Sequence, residues 1–106
     1  MGIGIDLVFI PRIRGKETLA KRVLSPEEFE LYQKRLDKDT FLAGRFAAKE
    51  AFFKAMHETM KTIPFRAIST INDESGAPLL TFEGKRYPVS ISHDGDYAVA
   101  IVHIEE

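Results

Sequence analysis

A carboxylate and several cations are interleaved with alanine and phenylalanine in the segment from Phe46 to Ala55. Glu50 and Lys54 are four residues apart, which places both on one face of a helix. Arg45 and Lys49 fall on a neighbouring stripe. Because the surrounding apolar residues predict a partly buried face, the carboxylate must be paired, hydrogen-bonded or bound to a metal. This segment alone allows two interpretations: an intrahelical salt bridge, or a metal carboxylate flanked by cations that bind phosphate.

A second acid, Asp6, lies in the middle of a predicted strand, where aspartate is disfavoured. Asp6 and Glu50 together are a candidate pair of oxygen ligands. Mg²⁺ usually takes one or two carboxylates and completes its shell with waters and substrate phosphates, whereas zinc prefers nitrogen or sulfur. A glycosidase-like acid pair is the competing chemical interpretation. The nearby arginine and lysine side chains argue against it, because they favour the ionised form of both acids.

A third polar cluster, Ser90, Ser92 and His93, ends a predicted strand. His93 precedes Asp94-Gly95-Asp96, so we expect it to be exposed at an end of the sheet. A histidine in that place can donate a hydrogen bond to a phosphate. The alternative is a plain surface histidine in a turn. The two other histidines, His57 and His103, are assigned no chemistry.

Length and composition limit the kinds of site that the chain can build. We expect 106 residues to form one domain, residues 1–106, with a core but without a deep cleft between two lobes. If the active site needs walls, a second subunit can supply them, so we expect an oligomer. The chain has no cysteine, which excludes disulfides, thiolate catalysis and cysteine-ligated zinc. No apolar run is long enough to span a bilayer and no signal peptide is recognisable, so the expected location is the cytoplasm.

Charge is distributed unevenly along the chain. The net charge is −1, so no overall field draws the protein to nucleic acid or to a membrane. Residues 11–22, however, contain five cations and one acid, Glu17. This basic segment is a candidate docking patch for an acidic partner. The alternative is a solvated helix face.

The elements that must position these residues follow from local patterns. Gly2 to Phe9 alternates as a strand, with Ile3, Ile5, Leu7 and Phe9 on one side and Gly2, Gly4, Asp6 and Val8 on the other. Pro11 ends the strand, and a short basic helical segment is predicted from Arg12 to Val23. Ser25-Pro26-Glu27-Glu28 predicts a helix start with a capping box, and that helix ends near Asp37 to Asp39. Asp39 or Thr40 then caps the longest helix, Phe41 to Met60.

The second half of the chain alternates in short runs separated by turns. Strands are predicted over residues 67–71, 79–82, 87–92 and 97–104, and the last two are joined by the turn at His93 to Asp96. A leading strand, a helical middle and a run of hairpin strands indicate an α+β fold, in which an antiparallel sheet packs on a long central helix.

Three segments, in this order, carry a resemblance to a known family. They are Gly4-Ile5-Asp6-Leu7-Val8-Phe9-Ile10-Pro11-Arg12-Ile13, Phe46-Ala47-Ala48-Lys49-Glu50-Ala51-Phe52-Phe53-Lys54-Ala55 and Ser90-Ile91-Ser92-His93. Their residues and separations resemble those of the holo-acyl-carrier-protein synthase family of 4′-phosphopantetheinyl transferases. The resemblance spans nearly the whole chain and includes the order of strand, helices and hairpins.

The resemblance implies an activity. Enzymes of this family transfer 4′-phosphopantetheine from coenzyme A to a serine of an apo-acyl carrier protein, release 3′,5′-ADP, and so supply fatty acid biosynthesis. By resemblance, Asp6 and Glu50 would bind Mg²⁺ with the coenzyme A pyrophosphate. Glu50 and Lys54 would be catalytic, although the proton acceptor stays open between Glu50 and a water on the metal.

The remaining site residues also come from the resemblance. Arg45, Lys54 and His93 would contact the phosphates of coenzyme A, with His93 near the 3′-phosphate. Arg12 and Arg14 would meet the acidic carrier protein. The family forms homotrimers with active sites between subunits.

The chain also departs from the family pattern. A Gly-Thr-Gly-type loop usually follows the long helix, whereas His57 to Thr62 contains no glycine. This difference motivates a second hypothesis, a coenzyme A or nucleotide binding module without turnover. A third hypothesis, a small domain that binds nucleic acid through the basic segment, is disfavoured by the slightly acidic net charge.

Overall fold

A five-stranded antiparallel sheet packs against one long helix in a computed structural model that describes residues 2–57 and 62–105. The strands are β1 (Gly2–Phe9), β2 (Ser69–Asn72), β3 (Pro78–Phe82), β4 (Lys85–Asp94) and β5 (Tyr97–Ile104), and their order in the sheet is β1-β5-β4-β3-β2. The helices are α1 (Glu17–Val23), α2 (Pro26–Lys34) and α3 (Lys38–Ala55), with 3₁₀ turns at Ile10–Ile13 and Phe65–Ala67. The predicted α+β class is confirmed.

The register of the sheet puts the candidate residues on the face that meets α3. Asp6 of β1 lies opposite Ala100 of β5, and His93 of β4 lies opposite Ala98. Because Ala98 and Ala100 are buried, directly paired residues on this face point toward the helix. Asp6 and His93 therefore share one face of the sheet, with β5 between their strands.

Glycine at two positions of β1 lets α3 approach the strand closely. A Cβ atom at Gly4 would lie 1.8 Å from the carbonyl oxygen of Ala51, and one at Gly2 would lie 1.9 Å from that of Ala55. Only glycine fits there, because backbone atoms of the helix occupy the space. The Gly-x-Gly of this strand thus serves helix packing.

The other side of β1 faces away from α3 and is strongly apolar. Ile3, Ile5 and Leu7 are 62%, 57% and 62% exposed, and Tyr97 and Ile101 of β5 lie beside them with 48% and 43% exposed. Contiguous exposed apolar surface of this kind marks an interaction site.

Helix boundaries depart from the predictions where distant contacts intervene. The capping box of Ser25 and Glu28 at the start of α2 is confirmed. The predicted start of the longest helix at Phe41 is wrong, since α3 begins at Lys38 with Asp37 at the N-cap position. Asp39 does not cap the helix, because its carboxylate accepts a hydrogen bond from the Gly15 N–H at 3.0 Å.

The basic segment is also divided. The predicted continuous helical stretch from Arg12 to Val23 is wrong, because Gly15 has a φ of +71° and separates the 3₁₀ turn Ile10–Ile13 from α1. The predicted extension of α3 to Met60 is wrong at its first residues, since the helix ends at Ala55. Residues 58–61, which hold most of the segment that departs from the family loop, lie outside the described residues.

Strand β4 is longer than predicted, whereas β5 spans the predicted residues, Tyr97–Ile104. β4 begins at Lys85 and continues to Asp94, so His93 lies in the strand, one residue before its end, and the turn contains only Gly95 and Asp96. His93 is exposed, as expected. None of the helices in the described ranges is both long and apolar enough to cross a membrane.

We expect Gly4→Ala to destabilise the protein by roughly 1–3 kcal/mol or more, because the new methyl group collides with the Ala51 carbonyl. Chemical denaturation measures the change. Gly84→Ala is the control, since Gly84 has a φ of +77° but open space around its Cβ position, so only a conformational cost of about 1 kcal/mol applies. Equal destabilisation by the two substitutions would contradict the packing argument.

Candidate active site

The two predicted metal carboxylates, Asp6 and Glu50, line one cavity of about 210 Å³. Asp6 comes from the middle of β1, and Glu50 comes from the fourth turn of α3, where the close approach of the helix brings it over the strand. Arg12 and Phe46 are among the other residues that line this cavity, which we call the acid cavity. The predicted convergence of a strand aspartate and a helix glutamate is therefore present in the fold.

Lys54 lies at the edge of this site and holds Asp6. Its Nζ atom donates to Asp6 Oδ1 at 3.2 Å and to the carbonyl oxygen of Ile5 at 2.9 Å. The Lys54 side chain is still 56% exposed, whereas that of Asp6 is 18% exposed. A half-exposed ammonium in this place can contact a ligand anion and Asp6 at the same time.

Arg45 and His93 line a different cavity of about 230 Å³, which we call the arginine cavity. The Arg45 guanidinium donates from Nε to the Thr70 carbonyl oxygen at 3.2 Å and from Nη2 to Asn72 Oδ1 at 3.3 Å. It also lies over the Phe41 ring, 4.3 Å from the centroid. Burial lowers the pKa of Arg45 from its usual value, and the negative charge of Glu28 partly offsets this.

A second arginine in the arginine cavity was missed by sequence reasoning. Arg35 makes a two-point ion pair with Asp37, with distances of 2.6 Å from Nε to Oδ1 and 2.9 Å from Nη2 to Oδ2. Its guanidinium lies 4.9 Å from the Phe41 centroid, so both arginines contact the same ring. The hydrogen bond from Arg35 lowers the pKa of Asp37. The only signal in the sequence was the Arg-x-Asp spacing.

The acid cavity and the arginine cavity open on different sides of α3. Arg45 and Glu50 are five residues apart, which rotates one side chain about 140° from the other around the helix axis. The sequence places Glu50 and Lys54 on one face of the helix and Arg45 and Lys49 on a neighbouring stripe. The helix distributes these residues among the acid cavity, the arginine cavity and the core.

Lys49 is the member that enters the core. Its side chain is fully buried, and its Nζ atom lies 2.6 Å from Glu28 Oε1. It also donates to the carbonyl oxygens of Val23, Phe65 and Ile68 at 2.7, 2.9 and 2.6 Å. Burial lowers the pKa of Lys49, and Glu28 opposes that shift. Lys49 is thus a structural cation, unlike its neighbours on the helix.

The two predicted docking residues lie in different surroundings. Arg12 is exposed and lines the acid cavity with Glu50. Arg14 is exposed in its turn, and its Nε atom lies 3.7 Å from Asp39 Oδ2. Asp39 therefore contacts both Arg14 and the Gly15 N–H, and it fixes the turn that carries the basic segment.

The donor set of the acid cavity suits a magnesium ion. Across residues 2–57 and 62–105, no three histidine or acidic side chains gather into an all-protein metal site. Two carboxylates do line one cavity, with cations beside them. Mg²⁺ commonly takes one or two carboxylates and leaves its other positions to water and phosphate oxygens, so the residues present fit this ion.

Comparison with known proteins identifies the family. The 4′-phosphopantetheinyl transferase superfamily matches residues 2–102. The holo-[acyl-carrier-protein] synthase of Geobacillus sp. is 46% identical, over 99% of this chain and 96% of its own length.

Solved structures agree with the sequence match. The chain is similar to the Helicobacter pylori holo-[acyl-carrier-protein] synthase in complex with coenzyme A, with a TM-score of 0.83, 36% identity and coverage of 97% of this chain and 99% of that one. A Bacillus anthracis holo-(acyl-carrier-protein) synthase in complex with CoA (3′,5′-ADP) gives a TM-score of 0.79, 38% identity and coverage of 95% and 92%. The chain therefore belongs to the 4′-phosphopantetheinyl transferase superfamily and is an enzyme of its holo-[acyl-carrier-protein] synthase family.

Proposed function

We propose that this enzyme transfers 4′-phosphopantetheine from coenzyme A to a serine of an apo-acyl carrier protein, in a Mg²⁺-dependent reaction that supplies fatty acid biosynthesis. The observation that carries the proposal is the acid cavity, where Asp6 and Glu50 meet beside Lys54 and Arg12. Family membership and the coenzyme A complexes of related enzymes support the same substrate. The expected location is the cytoplasm, where coenzyme A and the carrier protein are available.

Asp6 and Glu50 are the residues that would hold the ion. When bound, Mg²⁺ would neutralise the pyrophosphate oxygens of coenzyme A, as metals do in other phosphoryl transfers. Lys54 adds a positive charge at the edge of the same cavity and keeps Asp6 in place through its 3.2 Å contact. Attack at phosphorus depends on such positioning and charge neutralisation more than on covalent chemistry by the protein.

The transfer itself is a balanced substitution at phosphorus. The serine oxygen of the carrier protein forms a bond to the β-phosphorus of coenzyme A. The bond between that phosphorus and the bridging oxygen breaks, and 3′,5′-ADP leaves with the electron pair. The serine proton passes to Glu50 or to a water in the cavity, and Lys54 stabilises the negative charge on the leaving phosphate.

The arginine cavity is the proposed site of the 3′-phosphate of coenzyme A. Arg45 and His93 both line it, and a guanidinium over an aromatic ring with fixed hydrogen bonds is a rigid anion site. Arg45 points away from Glu50 around α3, so one bound coenzyme A would contact the acid cavity of one copy and the arginine cavity of another. This arrangement supports active sites between subunits.

A homotrimer would also cover the apolar face of β1 and β5. Ile3, Ile5 and Leu7 are more than half exposed in the single chain, and Ile101 adjoins them. Burying this surface between copies provides the hydrophobic driving force for assembly. The face lies beside the acid cavity, since Leu7 and Phe9 belong to the same strand as Asp6.

Asp6→Asn and Glu50→Gln should each lower transfer at least about 100-fold, because each removes a ligand charge while keeping the shape of the side chain. The assay incubates protein, coenzyme A, Mg²⁺ and apo-carrier protein and detects a carrier mass gain of one phosphopantetheine. The control is Glu30→Gln on the exposed face of α2, which should retain activity. Coenzyme A binding without a mass gain by the unaltered protein would favour the binding module instead.

Sedimentation equilibrium should give a mass about three times the 12.0 kDa of one chain. Ile5→Lys should dissociate the assembly without unfolding the chain, because this exposed side chain makes no part of the core. Leu36→Lys is the matched control: Leu36 is fully exposed and lies off the sheet, so the assembly should persist. A monomeric mass for the unaltered protein would exclude sites shared between subunits.

Arg14→Glu should raise the KM for the carrier protein roughly fivefold or more and leave that for coenzyme A unchanged, because it places a negative charge on the proposed docking surface. The effect should shrink as salt is added. Lys85→Glu, which makes the same charge change at the start of β4, is the control. An unchanged KM for the carrier protein would move the docking surface elsewhere.

A further inference from the structure

A fully buried acid, Glu28, lies at the first turn of α2 and uses both of its oxygens. Oε1 accepts from the Ser25 N–H at 2.9 Å and lies 2.6 Å from Lys49 Nζ. Oε2 accepts from the Thr70 N–H at 2.7 Å. A capping-box glutamate normally needs only the first of these contacts. The other two connect α2 to α3 and to β2.

Lys49 gives this carboxylate a fixed place in the core. Its ammonium group has four oxygen neighbours, which are Glu28 Oε1 and three backbone carbonyls. Because the three carbonyls belong to the end of α1 and to the chain before β2, they restrict where Lys49 can lie. Glu28 is therefore held by charge and by geometry, and it can in turn hold Thr70.

Thr70 connects the buried pair to the arginine cavity. Its N–H donates to Glu28, and its carbonyl oxygen accepts from Arg45 Nε at 3.2 Å. Asn72, two residues along the same short strand, accepts from Arg45 Nη2. The orientation of the Arg45 guanidinium thus depends on the position of β2, and Glu28 fixes that position through the N–H of the same residue, Thr70.

We propose that Glu28 is a positioning residue for Arg45: through the Thr70 backbone it orients the guanidinium in the arginine cavity and so determines how well the enzyme recognises the 3′-phosphate of its substrate. The inference rests on the proposed function, in which Arg45 contacts that phosphate. It assigns a role in substrate recognition to a buried side chain that lines neither the acid cavity nor the arginine cavity.

Glu28→Gln is the substitution that tests the link from Glu28 to Thr70 most directly. Glutamine has the same shape, but only one of its terminal atoms is an acceptor. When the amide oxygen faces the Lys49 ammonium, the NH₂ group faces the Thr70 N–H, and two donors oppose each other. Thr70 must then move away, and its carbonyl oxygen moves with it relative to Arg45.

The measurement compares coenzyme A with 3′-dephospho-coenzyme A in the carrier-protein transfer assay. In the unaltered enzyme, kcat/KM should favour coenzyme A. Glu28→Gln should reduce that preference by about five- to tenfold, mainly through the value for coenzyme A, as expected for weakened hydrogen bonds to a charged group. A merely structural role would lower both values equally and leave their ratio unchanged, which would overturn the inference.

Two further variants make the test specific. Glu27→Gln removes the same charge from the neighbouring exposed position of α2 and should leave the ratio unchanged. Arg45→Gln should remove most of the preference, and adding Glu28→Gln to it should cause no further loss, because the two residues act through one contact. A further loss in the double variant would overturn the inference, since Glu28 would then act without Arg45.

If Glu28→Gln does not fold, Asn72→Ala tests the same link from the exposed end of β2, where the core is not disturbed. It should lower the ratio by about two- to threefold, and an unchanged ratio would overturn the role of β2. Failure of the proposed function is recognised separately. If the unaltered enzyme modifies no carrier protein, or accepts both substrates equally, that result contradicts the assignment of Arg45 to the 3′-phosphate. The present inference, which rests on that assignment, is then contradicted as well.

Discussion

The closeness of α3 to β1 is the constraint on which the candidate site depends. Gly2 and Gly4 carry no side chains, and the carbonyl groups of Ala51 and Ala55 occupy the space that a Cβ atom would need. At this separation a glutamate on the helix and an aspartate on the strand can line one small cavity. A larger residue at Gly4 would push the helix outward and separate Glu50 from Asp6. The glycines therefore act on the site through backbone packing, although they bear no chemistry of their own.

The side of α3 that meets α2 and β2 is held by polar contacts in addition to apolar ones. Lys49 and Glu28 form an ion pair without exposed surface, and carbonyl oxygens and backbone N–H groups satisfy their remaining hydrogen-bonding capacity. Buried pairs of this kind contribute little net stability compared with well-packed apolar residues, but loss of one partner leaves an uncompensated charge. Here the buried pair contributes mainly by fixing the positions of the groups that it contacts. A carboxylate with two defined acceptor atoms fixes the position of β2 more narrowly than a hydrophobic contact would.

Local signals allowed the sequence to predict much of the fold. The alternation of β1 and the capping box of Ser25 and Glu28 depend on neighbouring residues, and both are present. The start of α3 was mispredicted, and Asp39, one of the two predicted caps, instead accepts a hydrogen bond from the Gly15 N–H, 24 residues away. The core position of Lys49 could not be predicted from local sequence either, because the carbonyl oxygens that surround it come from segments 16 to 26 residues away.

The prediction of the site residues was limited in the same way, to what local sequence signals indicate. The residue types at Asp6 and Glu50 pointed to a shared ion, because a carboxylate in an apolar element must be paired, hydrogen-bonded or bound to a metal. Arg45 and Lys49 could not be distinguished in this way, since both are cations on one stripe of the helix. Only the packing of β2 and of Phe65–Ala67 around α3 decides that one enters a cavity and the other enters the core. Arg35 was not predicted as a site residue, because its contact with Asp37 and the cavity that it lines depend on how α2 and α3 meet.

The separation of the two cavities favours a closed ring of copies. If coenzyme A spans the acid cavity of one subunit and the arginine cavity of the next, the contact between them joins two different surfaces. Such head-to-tail contacts continue until the rotation closes, and a ring then contains as many sites as subunits. An isologous dimer would pair each surface with itself and bring like cavities together. The exposed stripe of Ile3, Ile5 and Leu7 runs along β1 beside the acid cavity, so apolar burial and substrate binding would stabilise the same arrangement.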